Sequence, residues 1–328
     1  MFKNVMVYRI GEGWSPSLSD AESALQGQRF TECGATQDKS VGWAEPRGQA
    51  HGPLIESIGG HWIAKLVIES KAVPGNVVRK KLDEQVAEIE ASTGRKPGKK
   101  EKRDMQDEIL LSLLPQAFAR QSSVLVWLDM KTRRLVLNAG SQGKADEAVS
   151  ALLKALPGLN IALLQTATTP QAAMTEWLLA PAPEDWPADL CVERECTLKA
   201  TGEDAASIRY VRHHLLSDDV RKHVTEGKLP TQLALSWDGR VAFVLTETLQ
   251  LKKIQFLDGV MDAQGAPSDE DRFDADVALA TGLLSPLLAQ LVEALGGEQA
   301  WGAAQDASAS TPASPAQGQP APEGDPPF

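Results

Sequence analysis

Six cations and one anion fall within nine consecutive residues of this chain: Arg95, Lys96, Lys99, Lys100, Glu101, Lys102 and Arg103. Such a run makes and breaks no bonds. Its chemistry is the neutralisation of a polyanion, and duplex DNA offers one charge per ~1.7 Å of axis, with counterions to release. Lys80 and Lys81 precede the run, Lys131 and Arg133 sit in a later turn, and Arg212 lies in a third stretch. These residues form the candidate DNA-binding set. The alternative is a solvated surface loop, since charge runs commonly serve only to keep a surface wet.

Three further constellations could carry catalysis or metal binding. The run SDEDRFDAD (268–276) offers Asp271, Asp274 and Asp276 as carboxylates for a metal-dependent nuclease. The competing reading is an acidic first turn on a helix, which the helix dipole favours, and nothing else in the chain completes a two-metal site. RLVLNAGSQGKADEAVSALL (134–153) imitates a phosphate-binding loop, but Gly140 and Gly143 are too close together. Ala145 also follows Lys144 where Ser or Thr would hold magnesium. Cys191 and Cys196, on one strand, point to opposite faces, so with His213, His214 and His223 they fit no ordinary zinc spacing. Nothing here calls for a cofactor or a metal. The tryptophans could stack on unpaired bases, but Trp62, Trp127 and Trp237 sit inside apolar strands and read as core.

The elements that position the basic run form a helical hairpin over 76–118. Val78, Leu82, Val86 and Ile89 mark one helix face, and Met105, Ile109, Leu113 and Gln116 mark another. Gly94, Pro97 and Gly98 turn the chain between them, and Asn76 is the expected N-cap. The basic run then sits at the end of an arm reaching ~20 Å from its root.

Around the arm, strands are expected at 3–10, 61–70, 123–129, 134–139 and 160–164, with helices near 19–28, 144–156 and 170–179. Pro181, Pro183 and Pro187 mark a boundary. Beyond it come strands at 190–198, 206–211 and 251–258, a helix at 217–226, and a hairpin turning at Asp238-Gly239. A helix from Phe273 to Leu295 ends at Gly296-Gly297, with Pro286 expected to kink or break it. The fold class is α+β, with mixed sheets and an inserted helical-hairpin arm. The expected divisions are a central domain in two parts (1–75 and 119–180), the arm (76–118), a base domain (181–300) and a disordered tail (301–328).

Composition argues against bulk attraction to DNA. The formal net charge is −11, and −8 remains once the acidic tail is set aside. DNA binding by such a chain needs a concentrated patch, with the excess negative charge facing elsewhere. Cys33, Cys191 and Cys196 are odd in number, no signal segment opens the chain, and no apolar run is expected to span a bilayer. A cytoplasmic protein with reduced thiols is the expectation.

The chain also resembles the recombination-associated protein RdgC family. The resemblance is carried by FKNVMVYR (2–9), GWAEP (42–46), QDEILLSLLPQAFAR (106–120), TEWL (175–178), LALSWDGRVAFVL (233–245), LKKIQFLD (251–258), and RFDADVALATG…LVEALGGE (272–298). It implies a curved subunit that forms a ring-shaped homodimer, tip to tip and base to base. It implies sequence-tolerant binding of double- and single-stranded DNA, nucleoid association, and restraint of the RecA recombinase through occupation of DNA. Phe118 matches the family's tip-contact aromatic. Arg212 and His213 fall where the family has basic and polar residues near the base contact. The resemblance implies no catalysis.

Overall fold

Two strands of eleven residues each, β4 (His61–Lys71) and β5 (Ala119–Asp129), run antiparallel from Trp62↔Leu128 to Lys71↔Ala119. The computed structural model, which describes residues 1–202, 206–257 and 269–300 (without the side chains of 269–271), builds its first sheet on this pair. β1 (Met6–Ile10), β2 (Lys39–Ala44), β3 (Ile55–Ile58), β6 (Arg134–Leu137) and β7 (Ile161–Leu163) complete it. The order is β2-β4-β5-β6-β1-β7, with β3 also pairing β4, and every pairing is antiparallel.

Alternation along β5 sorts its side chains. Val124, Val126 and Leu128 face a core closed by α1 (Leu18–Gln26) and α4 (Gln142–Ala155), while Trp127 faces the opposite core. Ser17 caps α1 by accepting from the Asp20 N–H at 3.1 Å, and Asp20 answers the Ser17 N–H at 3.4 Å.

The second sheet contains β8 (Leu190–Ala200), β9 (Ser207–Val211), β10 (Lys228–Trp237), β11 (Val241–Thr246) and β12 (Leu251–Phe256), in the order β12-β11-β10-β8-β9. Asp238 and Gly239 both take positive φ, 48° and 61°, and the Arg240 N–H donates to Trp237 O, the turn that Asp-Gly favours. α5 (Pro170–Leu179), α6 (Asp218–Thr225) and α7 (Asp269–Ala294) pack with this sheet. One apolar cluster runs from Phe2, ahead of β1, and Ile63 and Trp127 of the first sheet through α5 and α7 to Leu235 and Phe243 of the second.

Several elements differ from expectation. β2 and β3 were not expected. Gly42 interrupts the apolar pattern of β2 because the backbone at Phe30 lies where its Cβ would be, 2.4 Å from Phe30 Cα. The four-residue β3 is too short to show a period, although Gly59 and Gly60, both at positive φ, turn it into β4. Pro286 does not break α7. The residue four before it, whose carbonyl the proline ring crowds, is Gly282, with open space where a side chain would be. Contrary to the sequence expectation, Arg272–Ala294 is long and apolar enough to cross a membrane by length and composition, but half of that stretch is buried inside the protein. Val277, Leu284, Leu287 and Leu291 supply its core face. The expected tail at 301–328 and Asp258 lie outside the described residues.

Candidate nucleic-acid interface

Between β4 and β5 the chain leaves the sheet as two packed helices, α2 (Gly75–Thr93) and α3 (Lys99–Leu113). Val78, Ile109 and Leu113, with Val73 and Leu82 beside them, form a small apolar cluster of their own. Gln116, expected on the same face, is exposed in a short 3-10 turn (Leu114–Gln116), because α3 ends three residues sooner than its pattern suggested. Pro74, not Asn76, occupies the N-cap of α2, and Asn76 accepts from the Val77 N–H instead.

At the far end, Gly94 closes α2 in the left-handed conformation, φ 69°, and its N–H donates to Glu90 O at 2.9 Å. Buried Pro97 fills the turn, and Glu101 accepts from the Gly98 N–H at 3.3 Å to start α3. The apex carries its cations in two groups. Arg95 pairs with Glu101 at 3.1 Å and Lys96 with Glu90 at 3.5 Å, both largely exposed. Lys99, Lys100, Lys102 and Arg103 form no ion pair among the described residues. They occupy the first turns of α3, where unsatisfied N–H groups and the helix dipole already concentrate positive potential. Like charge placed there opposes helix stability and favours an arriving anion.

The root of the hairpin has a different character. Phe118 joins the 3-10 turn to β5 and is 94% exposed, so it does not pack into its own arm. Val77, Leu110 and Leu111 are also exposed toward this end. The basic apex and the exposed aromatic therefore lie at opposite ends of α3, separated by about 20 Å of helix.

The remaining candidates lie elsewhere. Lys80 and Lys81 are exposed near the root, with Lys80 a loose 3.9 Å from Glu84. Lys131 and Arg133 sit in the turn after β5, a whole strand away from the hairpin. Arg133 takes positive φ, 56°, and its guanidinium donates to the carbonyls of Trp14 and Gly11. Lys131 is exposed. Arg212 is exposed just past β9 at φ 55°, and its carbonyl accepts from Arg194 at 3.2 Å. His213 is half-buried, its ring 5.0 Å from that of Tyr210. Tyr210 donates to Asp219 at 3.1 Å, and burial together with that carboxylate pushes its pKa up to about 12.

The catalytic alternatives find little geometric support. Asp274 accepts from Arg47 at 2.5 Å, and Asp276, two residues on, projects from another side of α7. The Asp271 side chain lies outside the described residues. Among the described residues, no group of three His, Cys, Asp or Glu could hold a metal ion. Cys191 is exposed while Cys196 is buried, its thiol pushed up to about 12 by desolvation. Lys144 lies in α4, which starts at Gln142 with no side-chain cap. Trp127 and Trp237 are buried, as is Trp43, which removes them as stacking platforms, whereas Trp62, also expected in the core, is only half-buried. Sequence reasoning passed over Arg79 and Arg120, exposed cations at the hairpin root. Arg79 adjoins Lys80 in an RKK triplet, a legible signal, whereas Arg120 is brought there only by the β4–β5 ladder.

Comparison with known proteins agrees with the resemblance. Residues 1–298 match a family model described as "Putative exonuclease, RdgC". The chain is 39% identical over 302 residues to the recombination-associated protein RdgC of Dechloromonas aromatica, covering 90% of this chain and 98% of that protein. It is 39% identical over 299 residues to the protein of the same name from Janthinobacterium sp., with 90% and 98% covered. For that of Herminiimonas arsenicoxydans the identity is 38% over 301 residues, with 91% and 99% covered. With the match spanning both sheets and the inserted hairpin, this chain belongs to the RdgC family of recombination-associated proteins.

Proposed function

We propose that this chain binds DNA with little sequence preference and works in recombination as a homodimer that encircles DNA, limiting RecA's access to it. The observation that carries the reading is the hairpin apex. Among the described residues, Lys99, Lys100, Lys102 and Arg103 stand without anionic partners at the start of α3, on a chain whose net charge is −11. Concentrating the cations at one projecting end lets them meet phosphates while the acidic body stays away. Phosphate contacts of this kind position a protein without reading sequence. The exposed Phe118 supports a self-contact, because an isolated aromatic in water is a natural anchor for an isologous interface. Arg212 and His213 are the proposed second contact, at the base. A nucleoid-associated, cytoplasmic location follows from the same reading.

Titration of labelled duplexes at several salt concentrations tests it. Log affinity should fall linearly with log salt, by about 0.9 per phosphate neutralised, and unrelated sequences should agree within a few-fold. A single preferred sequence that survives high salt would defeat the proposal. The reading is also non-catalytic. Asp274 is engaged by Arg47, leaving the acids of α7 poorly arranged for two metals. Incubation of linear DNA with magnesium should leave it full-length. Progressive shortening from the ends would instead support the exonuclease in the family description.

A further inference from the structure

Charge along the hairpin is segregated in three zones. The apex holds the basic run, and the root holds Arg79, Lys80, Lys81 and, from the adjoining strand, Arg120, all exposed. Between them lies an acidic band made by Asp83, Glu84 and Glu88 of α2 with Asp104, Asp107 and Glu108 of α3, also exposed. No Lys or Arg falls within 82–94 or 104–119, so the band is uninterrupted on both helices. At 1.5 Å per residue the two basic zones are about 20 Å apart along α2.

We propose that the hairpin straddles a groove of duplex DNA, with its apex on the phosphates of one strand and its root on those of the other. This assignment rests on the DNA-binding reading above. The major groove is about 12 Å wide, and flexible lysine and arginine side chains at the two zones cover the remaining distance to its phosphate rims. The acidic band then faces the groove opening, where it meets base edges instead of phosphates. A single strand offers no such gap. To touch both basic zones it must carry its phosphates across six carboxylates, and like charges in apposition weaken binding. The single strand therefore engages the apex alone, and the hairpin discriminates in favour of duplex.

Three variants of the full chain separate these contacts, read on a labelled duplex and a single strand of equal length over a range of salt. The root variant is Arg79→Gln/Lys80→Gln/Lys81→Gln, and the apex variant is Lys99→Gln/Lys100→Gln/Lys102→Gln/Arg103→Gln. The band variant replaces the six acids by their amides. Glutamine matches lysine in helix propensity, so the hairpin is retained, and restoring charge at the root as Lys80→Arg/Lys81→Arg checks that charge is the cause. The root variant should lose about 2–3 units of duplex salt slope and about tenfold or more in duplex affinity, with single-strand binding unchanged. The apex variant should weaken both ligands. The band variant should tighten single-strand binding several-fold more than duplex binding. If the root and band variants move both ligands by equal factors, the straddling arrangement is wrong. If the unaltered protein shows no salt-dependent binding to either ligand, the DNA-binding reading itself fails.

Discussion

Arg47 and Asp274 meet at 2.5 Å, Nη2 to Oδ1, and this contact ties the loop between β2 and β3 to the first turns of α7. The same guanidinium donates through Nε to Glu56 at 2.5 Å and lies over the Phe273 ring, 5.0 Å from its centroid. Glu56 is far less exposed than Asp274, so the two acids depend on Arg47 to different degrees.

Replacing Arg47 by Ala leaves the Glu56 carboxylate shielded from water without its cation, which typically costs about 3 kcal/mol or more. Asp274→Asn leaves a half-exposed site short of one charge and should cost less than ~1 kcal/mol. Urea unfolding of the two variants measures the difference. Equal losses would show that the contact to α7, and not the shielded Glu56, dominates.

Phe118→Ala should leave the unfolding free energy of the subunit unchanged within ~0.5 kcal/mol, because the ring touches almost nothing in its own chain. Release from closed circular DNA should accelerate. A stable variant with unaltered release would remove Phe118 from the proposed contact.

The apex sets stability against function. Lys99→Glu puts an anion at the positive end of α3 and should stabilise the helix by about 0.3–1 kcal/mol at low salt. The same change should weaken duplex binding, since it removes one phosphate contact and adds a repulsion. A thermal melt and a binding titration read the two effects, and a melt that falls would contradict the dipole argument.

Glu69 contributes a pH dependence of its own. It is buried near the β4–β5 root, and the Cys33 N–H at 2.7 Å together with the Gln121 amide at 2.6 Å holds its carboxyl below the usual range. A carboxyl whose folded pKa is depressed adds stability above its unfolded pKa and loses it as pH falls through the folded one. Acidification from about pH 6 to about pH 3 should therefore destabilise the protein less in Glu69→Gln than in the unaltered chain. Parallel curves for the two would place the acid sensitivity elsewhere.

The hairpin was legible in the sequence because its apolar spacing, its glycines and its proline all agree on the same turn. Asp238-Gly239 was legible for the same reason: local turn chemistry and the flanking alternation point one way. β2 was not, since Gly42 is dictated by the segment at Phe30, twelve residues earlier, and no window reports that approach. Phe118 was half legible. The sequence placed this aromatic at the end of the arm's second helix, and the resemblance made it a tip contact, but only the pairing of Ala119 with Lys71 puts it at the root, facing solvent. Arg133 read as a candidate DNA contact, yet its guanidinium donates back to the carbonyls of Gly11 and Trp14, an arrangement set by contacts across more than a hundred residues.

The uninterrupted ladder from Trp62↔Leu128 to Lys71↔Ala119 makes the hairpin a cantilever. Its two links to the sheet, 72–74 and 114–118, each contain a proline, Pro74 and Pro115, whose fixed φ stiffens the joint. Load applied at the apex would then pass into the two longest strands of the first sheet, with each proline reducing the bending available at the root. Two copies joined near Phe118 would part by peeling one rigid surface from another. How fast they let go would then depend on contact area and on that aromatic, with little contribution from the suppleness of the arm.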